Sequence, residues 1–128
     1  MARRKSKTLT EGELRIMEAV WELGKGSVKE VTQKLAEDQP IAYNTVLTML
    51  RILNQKGYVD YEKQGRAFIY YPLVNQKQAR NNVVRYLLTK FFDNSPSLLV
   101  QNLLDQPLDE EEMARLKSQI EQSDTEGK

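Results

Sequence analysis

The sequence predicts a mainly α fold with a small β-hairpin wing and a helical arm, on three observations. Helical periodicity fills most of its 128 residues. Two short β-rich runs, joined by a turn with glycine, interrupt it once, after three helices. Beyond the hairpin comes a helix too broadly apolar to bury a single stripe.

The first helix is announced by Thr10-Glu11-Gly12-Glu13, a capping box in which each end's side chain satisfies the other's free backbone N–H. Leu14, Met17, Val20, Trp21 and Leu23 follow at spacings of three and four, and Gly24 stops the run. Ser27-Val28-Lys29-Glu30 is a second capping box, opening a short helix with Val28, Val31 and Leu35 on one face. Pro40 breaks the chain. A third helix is expected over 42–56, burying Val46, Met49, Leu50 and Leu53, with Gly57 at the left-handed position past its end. The runs 58–62 and 67–71 read as strands around the turn Lys63-Gln64-Gly65-Arg66, and Pro72 closes the second. Their tyrosines, Tyr58, Tyr61, Tyr70 and Tyr71, read as packed or cross-strand sheet residues. Three helices and a hairpin are the order of a winged helix-turn-helix domain, assigned to 1–74.

Residues 75–128 read as a helical dimerisation domain with a disordered acidic tail. Over 76–92, Ala79, Val83, Val84, Tyr86, Leu87, Leu88, Phe91 and Phe92 cover more than half the helix circumference. Such a helix has two sides to bury. Ser95 caps a short helix with Pro96 at its first position and Leu98, Leu99, Val100, Leu103 and Leu104 along it. A last start at 109–112 leads to Met113, Leu116 and Ile120, with fraying expected from about Ser123. Left open to water, this apolar surface is an aggregation hazard. Self-association about a two-fold axis is the common remedy, so a homodimer is expected.

Composition narrows the function. The chain has no Cys and no His. That removes the usual zinc sites, Cys nucleophiles and His-based triads. With no glycine-rich phosphate loop either, neither an enzyme nor a cofactor is expected. No apolar run approaches membrane-spanning length. No apolar segment follows the basic start MARRKSK, so the chain is expected to be cytoplasmic. The net charge of +1 hides an asymmetry: residues 1–92 hold 16 Lys/Arg and 9 Asp/Glu, and residues 93–128 hold 3 and 9. A basic front half suits a polyanion partner.

The third helix sharpens this. At about 100° per residue, Asn44, Thr48, Arg51 and Gln55 fall on one line opposite the apolar stripe, and Thr45 flanks it. These short donors and acceptors, with one guanidinium, suit base edges and phosphates in a major groove, and no acid accompanies them. Tyr43 is placed either to touch a sugar or thymine methyl, or to staple the turn. Arg3, Arg4, Lys5 and Lys7 at the start, with Lys63 and Arg66 at the hairpin turn, add positive charge to the same face. The expected partner is double-stranded DNA. The alternative is a winged helix module for protein–protein contact, against which the acid-free helix face and basic arm argue.

The segment Ala42-Tyr43-Asn44-Thr45-Val46-Leu47-Thr48-Met49-Leu50, with Leu53, Lys56-Gly57 and Gly65-Arg66-Ala67-Phe68-Ile69-Tyr70 after it, resembles the BlaI/MecI penicillinase-repressor family, which includes the CopY-type copper-responsive repressors. The start, Leu9-Thr10-Glu11-Gly12-Glu13-Leu14 through Met17 to Trp21, resembles it too, and the likeness spans about 8–121. It implies a repressor that binds a palindromic operator as a homodimer, with Tyr43, Asn44, Thr45 and Thr48 entering the major groove. It also implies release through a sensor protease cutting the arm, at a bond corresponding to Asn102–Leu103. Three departures stand out. Family members commonly carry Arg at Ile52 and Lys at Asn44, so the operator sequence does not transfer. The copper-responsive members carry a C-terminal cysteine motif, which a chain without Cys lacks.

Overall fold

The computed structural model describes residues 8–126. In chain order these form α1 (Glu11–Leu23), β1 (Gly26–Ser27), α2 (Val28–Ala36), α3 (Tyr43–Lys56), β2 (Val59–Gln64), β3 (Ala67–Pro72), α4 (Gln76–Phe91), α5 (Pro96–Leu104) and α6 (Glu110–Glu126). The fold is mainly α with a small antiparallel sheet, as the sequence predicts.

Both capping boxes form. Thr10 Oγ1 accepts the Glu13 N–H at 3.2 Å, and Glu13 Oε1 accepts the Thr10 N–H at 2.9 Å. Ser27 and Glu30 repeat the exchange at 3.1 and 2.8 Å. Each box leaves fewer free N–H groups in the first turn, which fixes where its helix starts. With α1 started at Glu11, its inward face is Glu13, Ile16, Met17 and Val20. Two residues expected on that face are not on it: Leu14 (40% exposed) and Leu23 lie on the solvent side, while Ile16 and Ala19 take buried places. The buried set has helical spacing counted from Glu13, and Leu14 falls about 100° away from it.

The core joins this face to Val31 and Leu35 of α2, Val46, Leu50 and Leu53 of α3, and Tyr58, Val59 and Tyr70 of the hairpin. α1 approaches α3 closely at Gly12, where an added Cβ would sit 2.8 Å from Met49 Cε. Gly57 ends α3 at φ 85°, a left-handed conformation that favours glycine.

The sheet has three strands in the order β1-β3-β2, all antiparallel. β1 is an element the sequence did not signal. Two residues carry no periodicity, and only the pairing of Gly26 with Tyr70 and Ser27 with Ile69 makes them a strand. The hairpin pairing runs from Val59–Pro72 to Gln64–Ala67. The turn is therefore shorter than expected, with Gly65 (φ 62°) and Arg66 at its tip and Lys63 and Gln64 inside β2.

Packing divides the chain between Tyr86 and Leu87. On the first side, α4 contributes Ala79 to the core, and the Asn82 side-chain amide donates to the Tyr58 hydroxyl at 3.2 Å. Trp21 Nε1 donates to the Val74 carbonyl at 2.9 Å, fixing the chain just ahead of α4. On the second side, Asp93 (φ 49°) and Asn94 (φ 58°) turn the chain after α4, and the Asn94 N–H donates to the Leu88 carbonyl at 2.7 Å. Both are residue types that tolerate left-handed backbone. Ser95 caps α5 through the Leu98 N–H at 3.1 Å, and Asp109 caps α6 through the Glu112 N–H at 2.8 Å. α6 continues to Glu126, past the expected fraying point at Ser123, because no Gly or Pro interrupts it before Gly127. Among the described residues from Leu87 onward, none is buried.

Candidate nucleic-acid interface

The local sequence of α3 determines what it displays. Val46, Leu50 and Leu53 are fully buried, so the opposite side must face outward. Asn44, Thr45, Thr48, Arg51 and Gln55 are all exposed there, as is Tyr43 at the helix start. Ile52, beside Arg51, is half-buried. No Asp or Glu occurs between Asp38 and Asp60, so the whole helix and both its flanks are free of acid. Ala42 caps α3 without a side-chain hydrogen bond, so no cap side chain closes off the first-turn N–H groups. Their partial positive charge adds to that of Arg51.

Lys63 and Arg66 are exposed on the hairpin, Lys63 on β2 and Arg66 at the tip. Arg3, Arg4, Lys5 and Lys7 lie outside the described residues. Of the hairpin tyrosines, Tyr58 and Tyr70 are buried as expected, whereas Tyr61 is 44% exposed. Phe68, which the sequence reading gave no role, is 46% exposed. The Tyr61 and Phe68 rings meet edge to face at 5.1 Å, and Tyr61 meets Tyr70 at 5.4 Å. Burial pushes the Tyr70 hydroxyl above its ordinary pKa; Arg51 pulls against this, and Tyr61 and Tyr43 add to it. Tyr70 therefore stays a neutral phenol at physiological pH, close to the Arg51 charge.

A buried ion pair anchors α3 from behind. Lys56 Nζ lies 2.6 Å from Glu13 Oε1, with the two side chains 7% and 6% exposed. The same ammonium donates to the Thr8 carbonyl at 3.1 Å. Burial alone would raise the Glu13 pKa. The hydrogen bonds from Lys56 and from the Thr10 backbone, with the Lys56 charge, outweigh it and hold the carboxyl below its ordinary value. The sequence marks Glu13 as a capping residue and Lys56 as a helix end, but neither role predicts their pairing across 43 positions.

On the arm, Val83, Val84, Phe91 and Leu103 are exposed, and Leu87, Leu88, Phe92, Leu99, Met113, Leu116 and Ile120 are half-buried. Asn102 is exposed near the end of α5, and its carbonyl accepts from Gln106 Nε2 at 3.3 Å. No helix among the described residues is long and apolar enough to cross a membrane.

Three helices, a hairpin beside the third, and an acid-free exposed face on that helix define a winged helix protein. The chain belongs to the penicillinase repressor family, whose model matches residues 9–122. It is 26% identical over 97 residues to the penicillinase repressor of Bacillus licheniformis, covering 76% of each chain. It is 21% identical over 115 residues to the methicillin resistance regulatory protein MecI of Mammaliicoccus sciuri, covering 89% of this chain and 94% of that one. Among solved structures, the DNA binding domain of the repressor BlaI superposes with a TM-score of 0.52 at 28% identity, covering 59% of this chain and 93% of that one.

Proposed function

We propose that this protein is a cytoplasmic transcriptional repressor that occupies a palindromic operator as a homodimer. The observation that carries the reading is the exposed line Asn44, Thr48, Arg51 and Gln55 on α3, flanked by Thr45 and Tyr43 and free of acid. Asn44 and Thr48 are assigned to base edges and Arg51 to a phosphate or base. Lys63 and Arg66 of the hairpin, with Arg3, Arg4 and Lys5, supply further phosphate contacts. The winged helix domain is assigned to 1–74 and the dimerisation domain to 75–128, with the first half of α4 packing on the former through Ala79 and Asn82. Among the described residues from Leu87 onward none is buried, which supports the dimer, since a second copy would give an arm rich in Leu, Val and Phe a core. The half-sites should then lie about one helical turn apart, or a multiple of it.

Release is assigned to cleavage at Asn102–Leu103 by a sensor protease. A break there detaches Leu103, Leu104, Leu108, Met113, Leu116 and Ile120, most of the apolar surface of the last two helices. The bond lies in the last turn of α5, so that turn must unwind before a protease can hold it extended.

The test is binding to duplex DNA across a salt series. If a dimer neutralises about eight phosphates, affinity should fall roughly 10⁴-fold between about 50 and 200 mM salt. A flat response, or no retention on random duplex or on the region upstream of its own gene, would favour a protein–protein module.

A further inference from the structure

The face of the hairpin that packs on the core at its root does not become ordinary polar surface at its tip. Side chains alternate along each strand, so the register places Val59, Tyr61 and Lys63 on one face with Pro72, Tyr70 and Phe68. Val59 and Tyr70 are buried in the core that includes α3. Further out, Tyr61 and Phe68 are nearly half exposed and Lys63 is exposed beside them. The wing's acids, Asp60 and Glu62, alternate onto the other face, where Asp60 Oδ1 accepts the Tyr61 N–H at 2.8 Å and Glu62 accepts from the Gln64 amide at 3.2 Å. Charge is thus sorted across the sheet, with cation and aromatic rings on the α3 side and carboxylates on the other. Tyr70 connects the two elements, touching Tyr61 and lying in the field of Arg51 and Tyr43.

The bland reading of two exposed rings is a cross-strand pair that stiffens a thin hairpin. The edge-to-face contact serves that purpose and leaves each residue nearly half exposed. A stiffening pair has no need of acids sorted to the opposite face, nor of a lysine directly across from Phe68 in the register. A surface that meets an anionic chain with an apolar side needs both. The sugar–phosphate backbone of a duplex is such a chain, with apolar deoxyribose edges between its phosphates.

We propose that Tyr61 and Phe68 form an apolar seat for the deoxyribose edge of the DNA strand running between α3 and the wing, with Arg51 and Lys63 holding the phosphates on either side of it. This rests on the DNA-binding reading above and deepens it. It adds a sequence-independent and charge-independent contribution to affinity, one that a salt series separates from the phosphate contacts.

The probe is a random duplex of about 30 base pairs, titrated with the intact protein between about 50 and 200 mM salt, because only charge-neutralising contacts set the slope. Phe68→Ala should weaken binding roughly fivefold at every salt concentration, as expected for losing the apolar contact of a half-exposed ring. Its slope should match the parent's. Lys63→Ala should instead reduce the slope by about one. Phe68→Leu, which keeps an apolar side chain there, should bind within about twofold of the parent. It also controls for loss of fold, which circular dichroism of both variants checks. Parent-like affinity for Phe68→Ala, or a slope change like that of Lys63→Ala, overturns the seat while leaving DNA binding intact. Self-association altered by Phe68→Ala with unchanged DNA binding reassigns the face to protein contact and overturns it too. No binding by the parent removes the DNA reading and the seat together.

Discussion

Lys56→Met should cost about 3 kcal/mol of folding stability, because it leaves a carboxylate in the core with half its partners. Glu13 and Lys56 are each less than a tenth exposed and 2.6 Å apart. Removing one partner of a buried pair typically costs about 3–5 kcal/mol, since the other charge stays desolvated. The lower end applies here because Glu13 Oε1 keeps the Thr10 N–H at 2.9 Å. Glu13→Gln preserves that acceptor and the capping box but strands the Lys56 ammonium, which still has the Thr8 carbonyl. Its cost should be similar. The double variant Glu13→Gln/Lys56→Met carries no buried charge and should lose only about 1 kcal/mol, far less than the sum of the singles. Urea denaturation of the four proteins at neutral pH gives the cycle, with equal m-values as the check on two-state behaviour. The pH dependence has a definite sign. The native Glu13 pKa lies below its ordinary value. Its contribution is therefore complete above the unfolded carboxyl pKa, about 4.3, and is lost as pH falls through the lower native value. The parent's advantage over Glu13→Gln should narrow only in that acid range. Single variants within about 0.5 kcal/mol of the parent, or strict additivity, would refute the reasoning.

Three further outcomes follow from the geometry. Asn44→Ala and Thr48→Ala should each cost about 1–3 kcal/mol on the specific operator and much less on random duplex, and equal losses on both would assign the residue to the backbone instead. A fragment ending at Asn102 should sediment as a smaller species than the intact chain and bind the operator roughly 10²-fold more weakly, because the two half-sites lose their linkage; a dimeric fragment with full affinity would sink release by arm cleavage. Gly57→Ala, at φ 85°, should lower stability by about 1 kcal/mol or more in denaturant titration, and Gly57→Asn by less, since Asn tolerates that backbone region.

The helices were legible because their signals are local. Thr10 and Ser27 with their partners three residues on fix two helix starts, and Gly57 fixes one end. The outward line of α3 was legible for the same reason, since period and polarity both lie within fourteen residues. What escaped depends on pairing between distant segments. β1 exists only because β3 lies beside it, and the Glu13–Lys56 contact needs α1 and α3 already docked. The inward face of α1 was legible at Met17 and Val20 but not at its edges, because Leu14 and Leu23 look like core residues while Glu13 does not. Glu13 is buried through its ion pair and capping bonds, which no hydrophobicity pattern encodes. Tyr61 and Phe68 were hidden by a sound general expectation, that aromatic residues in strands pack; the hairpin extends beyond the core, and only its root is covered.

β3 is held on both edges, by β1 at Tyr70 and Ile69 and by β2 along its whole length. A one-residue slip would have to break both ladders and turn Tyr70 out of the core, so the register at the root is fixed twice over. The tip has no second neighbour, since β1 reaches only Ile69 and Gly65 and Arg66 close the hairpin alone. Insertions or deletions in pairs at that tip would lengthen or shorten the wing without changing which face any root residue presents. The wing is thus a reach that evolution or an engineer can vary independently of the helix it accompanies, a natural place to change how far the hairpin extends while leaving the exposed face of α3 as it is.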